Sequence, residues 1–183
     1  MRVLAISGSL RRDSYNTALL RALRGEAPAG VEIELWHGLK EIPAYDADDD
    51  VVPGPASVEA FREMVREVDA VFFATPEYNS SVPGALKNAL DWASRPLATS
   101  AFRNKRVAVI SSSAGAFGGV WAAAELRKVL GAMGARVTEA ELSVGHAHEK
   151  FDELGRLTDE DVRQGLRDAL QTLVAEVPSA LAA

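Results

Sequence analysis

Residues Asp69–Trp92 read DAVFFATPEYNSSVPGALKNALDW. Val71, Phe72, Phe73 and Ala74 are apolar at every position, so a strand here must be covered on both faces. A parallel sheet sandwiched between helices supplies that cover. Pro76 and Pro83 then bracket a polar loop and stiffen it. Leu86, Ala89, Leu90 and Ala93 recur at helical spacing, with Pro83 in the first turn. Strand, loop and helix follow one another in a single βα unit.

The same unit repeats on either side. Arg2–Ser7 (RVLAIS) and Lys105–Ser111 (KRVAVIS) are apolar runs that predict buried strands. Val31–Trp36 and Arg136–Leu142 alternate, as strands with one open side do. Helices are expected at Ser14–Arg24, after a Ser57 cap (Val58, Phe61, Val65, Val68), around Ala123–Met133, and after a Thr158 cap (Val162, Leu166, Ala169, Leu170, Leu173). The connection His37–Pro55 reads as a long polar loop. Five βα units with right-handed crossovers imply a doubly wound α/β sheet in one domain over residues 1–183, with 177–183 a frayed tail.

Composition bounds the chemistry. The chain has 183 residues, 48% of them hydrophobic, and no cysteine. Disulfides, thiolate metal sites and cysteine nucleophiles are excluded, so redox work requires a bound cofactor. A net charge of −6 argues against nucleic acid or an anionic membrane as partner. MRVLAISGSLRR lacks the apolar stretch of a signal peptide, and a cytoplasmic protein is expected.

In an open α/β sheet, ligands bind at the carboxyl ends of the strands. Unusual residues collect there after three strands. The first cluster, Ser7–Asn16, offers Ser9, Ser14 and Asn16 as neutral donors and Arg11 as a charged fork beside a helix N-terminus, which suits one terminal phosphate. It matches neither a P-loop nor a dinucleotide fingerprint. Ser14 serves equally as a helix cap. The second, Thr75–Gly84, presents backbone polar groups, Tyr78 and Asn79 to a flat heterocycle; Glu77 reads either as a pocket wall or as a solvated carboxylate. The third, Ser111–Gly119, lets backbone approach a ligand closely.

Other residues carry less. Asp46, Asp48, Asp49 and Asp50 do not complete a calcium loop, and His146 and His148 fall in a loop expected to lie away from the three clusters, so no metal is assigned. Trp36, Trp92 and Trp121 read as packing residues. No distinct site for a 2′-phosphate is legible.

Gly8-Ser9-Leu10-Arg11 with Ser14-Tyr15-Asn16, Pro76-Glu77-Tyr78-Asn79 running on through Trp92, Ser113-x-Gly115-x-x-Gly118-Gly119, and Phe151-Asp152-Glu153 with Gly155-Arg156-Leu157 together resemble the NADPH-dependent FMN reductase family. That flavodoxin-like group includes quinone, chromate and azo-dye reductases. The resemblance implies a three-layer α/β/α fold with sheet order 2-1-3-4-5 and FMN at its carboxyl edge. Ser9, Arg11, Ser14, Tyr15 and Asn16 would hold the phosphate. Pro76, Glu77, Tyr78 and Asn79 would line the flavin ring, and Ser113 and Gly115 would close the other side. NAD(P)H would pass hydride to the flavin, and a small acceptor would then take its place, giving ping-pong turnover. No side chain is assigned a catalytic role. A homodimer or homotetramer is implied. The family often has Arg after the glycine pair, where this chain has Val120-Trp121, which favours an apolar contact there. The alternative is a flavodoxin-type electron carrier serving protein partners.

Overall fold

A computed structural model describes residues 1–177; the rest of the expected tail lies outside them. Strands β1 (Arg2–Ser7), β2 (Glu32–Trp36), β3 (Ala70–Thr75), β4 (Arg106–Ser112) and β5 (Arg136–Val144) form one sheet in the order β2-β1-β3-β4-β5. All four pairings are parallel. The order places β2 and β5 at the edges, where their alternating patterns allow one open face.

Helices α1 (Tyr15–Gly25) and α5 (Glu160–Glu176) cover one face over a core that includes Val3, Ala5, Leu19, Phe72, Ile110, Leu166 and Leu170. Helices α2 (Ala56–Glu67), α3 (Gly84–Ala93) and α4 (Val120–Ala132) cover the other over Leu4, Ile6, Phe61, Phe73, Leu90, Trp92 and Leu126. β3 is buried at every position because helices pack on both sides. No described helix is long and apolar enough to cross a membrane.

Two expected caps move by a residue or two. α2 starts at Ala56 with Pro55, not Ser57, at the N-cap; the Pro55 carbonyl receives the amides of Val58 and Glu59. α5 is capped by Asp159, not Thr158. Its carboxylate accepts the Val162 amide at 3.0 Å and the Lys150 ammonium at 2.6 Å, while the Thr158 hydroxyl donates to the Lys150 carbonyl. A charged acceptor outcompetes a hydroxyl for a helix N-terminus. Lys150 also holds the Asp159 carboxyl below its ordinary pKa.

The connection 37–55 is pinned rather than free. The Pro43 carbonyl accepts Asn88 Nδ2 and Trp92 Nε1 at 2.7 and 3.0 Å, and buried Arg62 reaches Asp50, Glu59 and the Trp92 carbonyl.

β5 slips against β4: Val107 pairs with Val137, but Val109 pairs with Glu141. The slip leaves carbonyls without ladder partners. Arg127 of α4 answers them, donating to the carbonyls of Thr138 (2.7 Å), Val109 (2.9 Å) and Ala140. Partial burial holds its guanidinium below the ordinary arginine pKa. Arg127→Met keeps the aliphatic stem and removes these donors. A loss of about 2 kcal/mol is expected, read as a lower urea midpoint at unchanged slope. An unchanged midpoint would show that water satisfies the slip as well as Arg127 does.

Candidate active site

β1, β3 and β4 end side by side, so the loops that follow them meet. Backbone crosses backbone where they do. The Gly8 amide donates to the Ala74 carbonyl at 2.9 Å, and a Cβ at Gly8 would sit 2.9 Å from Leu86 and 3.3 Å from Pro76. A larger residue there would push the first two loops apart.

The first loop is ordered by its own hydroxyls. Thr17 donates to Ser7 Oγ at 2.9 Å, and Ser7 Oγ accepts the Ser9 amide. Ser9 Oγ accepts the Arg11 amide, and Ser14 caps α1 by accepting the Thr17 amide at 3.3 Å. The amides of Tyr15 and Asn16 open α1 and have no acceptor within the helix, so this turn presents donors and a positive dipole end to an anion. Tyr15 stacks on Phe151 with ring centroids 5.5 Å apart, and the Arg11 guanidinium lies 5.2 Å from the Tyr15 ring.

Asn16 does something composition could not show. It is buried, its Nδ2 donates to the Ser112 carbonyl at 3.0 Å, and its Oδ1 accepts the Ser112 amide at 3.0 Å. It ties the first loop to the third.

In the second loop, Tyr78 and Ser81 exchange backbone hydrogen bonds at 3.1 Å, and Asn79 and Ser80 turn through positive φ (52° and 60°). Asn79 and Ser81 cap no helix; Pro83 occupies the N-cap of α3, one residue before its first turn. Glu77 is neither a free carboxylate nor merely a wall. Its Oε2 accepts the Ala122 amide at 3.0 Å in the first turn of α4, whose own N-cap is Gly119 and has no side chain to offer. Glu77 therefore caps α4 from another loop. Glu77→Ala is expected to cost about 1 kcal/mol of stability, read as a lower urea midpoint. An unchanged midpoint would show that water caps α4 as well as Glu77 does.

The third loop rests on the segment after β5. The Ser113 amide donates to the Val144 carbonyl, and the His146 and Ala147 amides to the carbonyls of Gly115 and Ser113. His146 and His148 thus lie against the clusters rather than away from them. Their rings are 6.3 Å apart, and no group of three or more metal-ligating side chains gathers among the described residues. Gly145 is the signal in the sequence for this support, and β5 runs two residues past the expected Leu142, to Val144.

One cavity of about 270 Å³ joins the three loops. It takes in Ser9, Arg11, Ser14, Tyr15 and Asn16, then Pro76, Glu77 and Tyr78, then Ser112, Ser113 and Ala114. Asn79 and Gly115 lie outside its lining; Gly115 braces the third loop through its carbonyl. Glu77 is the one carboxylate in the wall and is engaged at α4. Trp36 and Trp92 are packing residues, Trp36 stacked 4.2 Å from Phe61. Trp121 is not: it is 50% exposed, edge-on to Phe117, which is 67% exposed. Its place in the first turn of α4, turned away from the core, explains the difference.

The family model for NADPH-dependent FMN reductase matches residues 1–149. An NAD(P)H-dependent FMN reductase of Pseudomonas aeruginosa is 43% identical over 174 residues, 94% of this chain and 93% of the relative. A quinone reductase of Escherichia coli strain K12 is 40% identical over 172 residues, 93% and 89% of the two chains. Among solved structures, FerB, a flavoenzyme NAD(P)H:(acceptor) oxidoreductase from Paracoccus denitrificans, superposes with a TM-score of 0.86 at 33% identity, covering 96% of each chain. With its 2-1-3-4-5 sheet and its three loops closing on one cavity, the chain belongs to the NADPH-dependent FMN reductase family, oxidoreductases that use FMN and take their electrons from NAD(P)H.

Proposed function

We propose that FMN lies in the cavity between the three loops, that NAD(P)H and a small quinone-type acceptor take turns over it, and that the protein works as a homodimer or homotetramer. One observation carries the reading: a single cavity is lined at one end by anion donors and at the other by a proline-stiffened loop. Ser9, Arg11, Ser14, Tyr15 and the opening amides of α1 hold the phosphate. Asn16 holds the two walls together. Pro76, Glu77 and Tyr78 face the ring, and Ser113 closes the opposite side. The amides of Glu77 and Ala114 have no protein acceptor among the described residues, which leaves them for the ring edge or water.

Bound FMN supplies the hydride chemistry, taking two electrons from reduced nicotinamide and handing them to the acceptor. The protein holds the ring and leaves a face open. Donor and acceptor compete for that face, so double-reciprocal plots should be parallel. Chromate, azo compounds and free flavin fit the same shallow approach as a quinone. The alternative of a flavodoxin-type carrier finds no support in the relatives, which are reductases.

The exposed Phe117–Trp121 pair, with Val120 beside it, flanks the third loop. A second copy seated there would bury it next to the flavin. Sedimentation of the holoprotein tests this, and a monomer at micromolar concentration would overturn it.

The deciding experiment is reconstitution with FMN followed by anaerobic mixing with NADPH or NADH. Bleaching of the flavin band supports the reading. Protein that takes up no FMN refutes it. Arg11→Ala should weaken FMN binding about tenfold, the worth of one charge-assisted hydrogen bond; unchanged affinity would remove Arg11 from the phosphate site.

A further inference from the structure

The loop after β1 borders two clefts. One is the flavin cavity, on the β3 side. The other, of about 240 Å³, opens over the carboxyl ends of β1 and β2. Arg11 and Arg12 of the first loop, Arg21 of α1, and His37 and Lys40 of the segment after β2 converge on it. No Asp or Glu lines it. Among the described residues, none of Arg11, Arg12, Arg21 and Lys40 makes an ion pair.

The chain as a whole carries a net charge of −6. Acidic residues are plentiful, yet none is placed here. Like charges gathered without a counter-charge repel, and the arrangement is stabilised when an anion enters. Ser9 and Arg11 line both clefts, so the two sites are contiguous. Adjacent strands lie about 4.8 Å apart, which puts the end of β2 roughly 10 Å across the sheet from the ring-facing loop after β3. A dinucleotide with its nicotinamide over the flavin ring carries its adenosine end away from that ring, and it is long enough to cross β1.

The geometry points to a site for the 2′-phosphate of NADPH in this cleft, made by Arg12, Arg21 and Lys40, which selects NADPH over NADH. The assignment rests on the reading that a nicotinamide dinucleotide reduces FMN bound in the adjoining cavity. Guanidinium and ammonium groups are the donors a phosphate dianion calls for, and three of them from separate elements fix its position. NADH has only a hydroxyl to place there and gains little from them.

The test uses the FMN-loaded full chain and the double variant Arg12→Ala/Lys40→Ala, both positions being exposed. KM is measured for NADPH and for NADH with one quinone acceptor, and FMN affinity is measured alongside. The wild type should favour NADPH. In the variant, KM for NADPH should rise at least about tenfold, while KM for NADH, kcat and FMN affinity stay as they were. Calorimetry with 2′,5′-ADP against 5′-ADP provides an independent arm. The 2′-phosphate should tighten binding to the wild type, and the variant should lose that gain. Equal changes for the two nucleotides would mean that the cleft holds the pyrophosphate and would overturn the assignment, as would no change for either. If neither nucleotide bleaches the flavin, the reductase reading fails instead; the ADP comparison still decides whether the cleft reads a 2′-phosphate.

Discussion

Asn16→Asp is expected to cost about 4 kcal/mol near neutral pH, the range seen when a buried group is left charged and unpaired. FMN affinity should fall with it, by about a hundredfold if roughly 3 kcal/mol of loop positioning is lost. Asn16 is only 3% exposed, and its amide makes both of the hydrogen bonds that join it to Ser112, 96 positions away. The substitution keeps shape and volume. One carboxylate oxygen still accepts the Ser112 amide, but the other now faces the Ser112 carbonyl at about the old 3.0 Å separation. Two acceptors repel where a donor and an acceptor attracted. The N-terminus of α1 favours a negative charge by about 0.5–1 kcal/mol, too little to offset this.

The sign of the pH dependence follows. In the unfolded chain the introduced carboxyl titrates near its ordinary value of about 3.9. In the folded chain, burial and the facing carbonyl raise it. As pH rises, the unfolded state loses its proton first, so stability relative to wild type falls above about pH 4 and levels off past the raised value. The deficit should therefore be smallest in acid, where the protonated carboxyl can donate to Ser112 as the amide did. Urea midpoints of variant and wild type across this range give the measurement. A neutral-pH deficit below about 1 kcal/mol, the worth of an ordinary hydrogen bond, would show that the strap does not hold the loops together.

Gly145→Ala should be nearly as damaging, at about 3 kcal/mol, through sterics alone. A Cβ at Gly145 would sit 2.1 Å from the Ala116 carbonyl oxygen and 3.2 Å from that of Gly115. A Cβ at Gly118, where φ is 64°, would meet the same junction from the other side, 2.7 Å from the backbone of Ser143 and Val144. Backbone meets backbone, so no side chain can rotate out of the way. The third loop must lift, taking Ser113 from the cavity wall. A fall in Tm of roughly 6–12 °C is expected for a chain this size, with loss of FMN retention on desalting. Gly131→Ala is the control. It lies inside α4 with nothing within 4 Å, so the same added methyl should stabilise by about 0.5–1 kcal/mol. A thermal shift of the same sign for both would mean that local propensity, not the loop crossing, governs Gly145.

The alternation of strands and helices was present in the residues themselves. DAVFFAT and RVLAIS are apolar at successive positions, and only a sheet covered on both faces removes such strands from water. The stripe Leu166, Ala169, Leu170, Leu173 repeats as a helix face does, and it lies on the core. From these local patterns came the layers, and from the polar loops after β1, β3 and β4 came the place of the site. What tertiary structure alone decided are the pairings between distant segments. Glu77 reaches Ala122 across 45 positions, Arg127 answers a slip in a ladder, and the loop after β5 supports Ser113 and Gly115. Trp121 is no different in type from Trp92, yet one faces solvent and the other the core. Arg12, Arg21 and Lys40 are scattered in sequence and no motif joins them; a cleft does. Local pattern reports which residues must leave water. Hydrogen-bond partners, exposure and the sum of charges at a point depend on which segments the fold brings within a few ångströms, and that is set only once the sheet order is set.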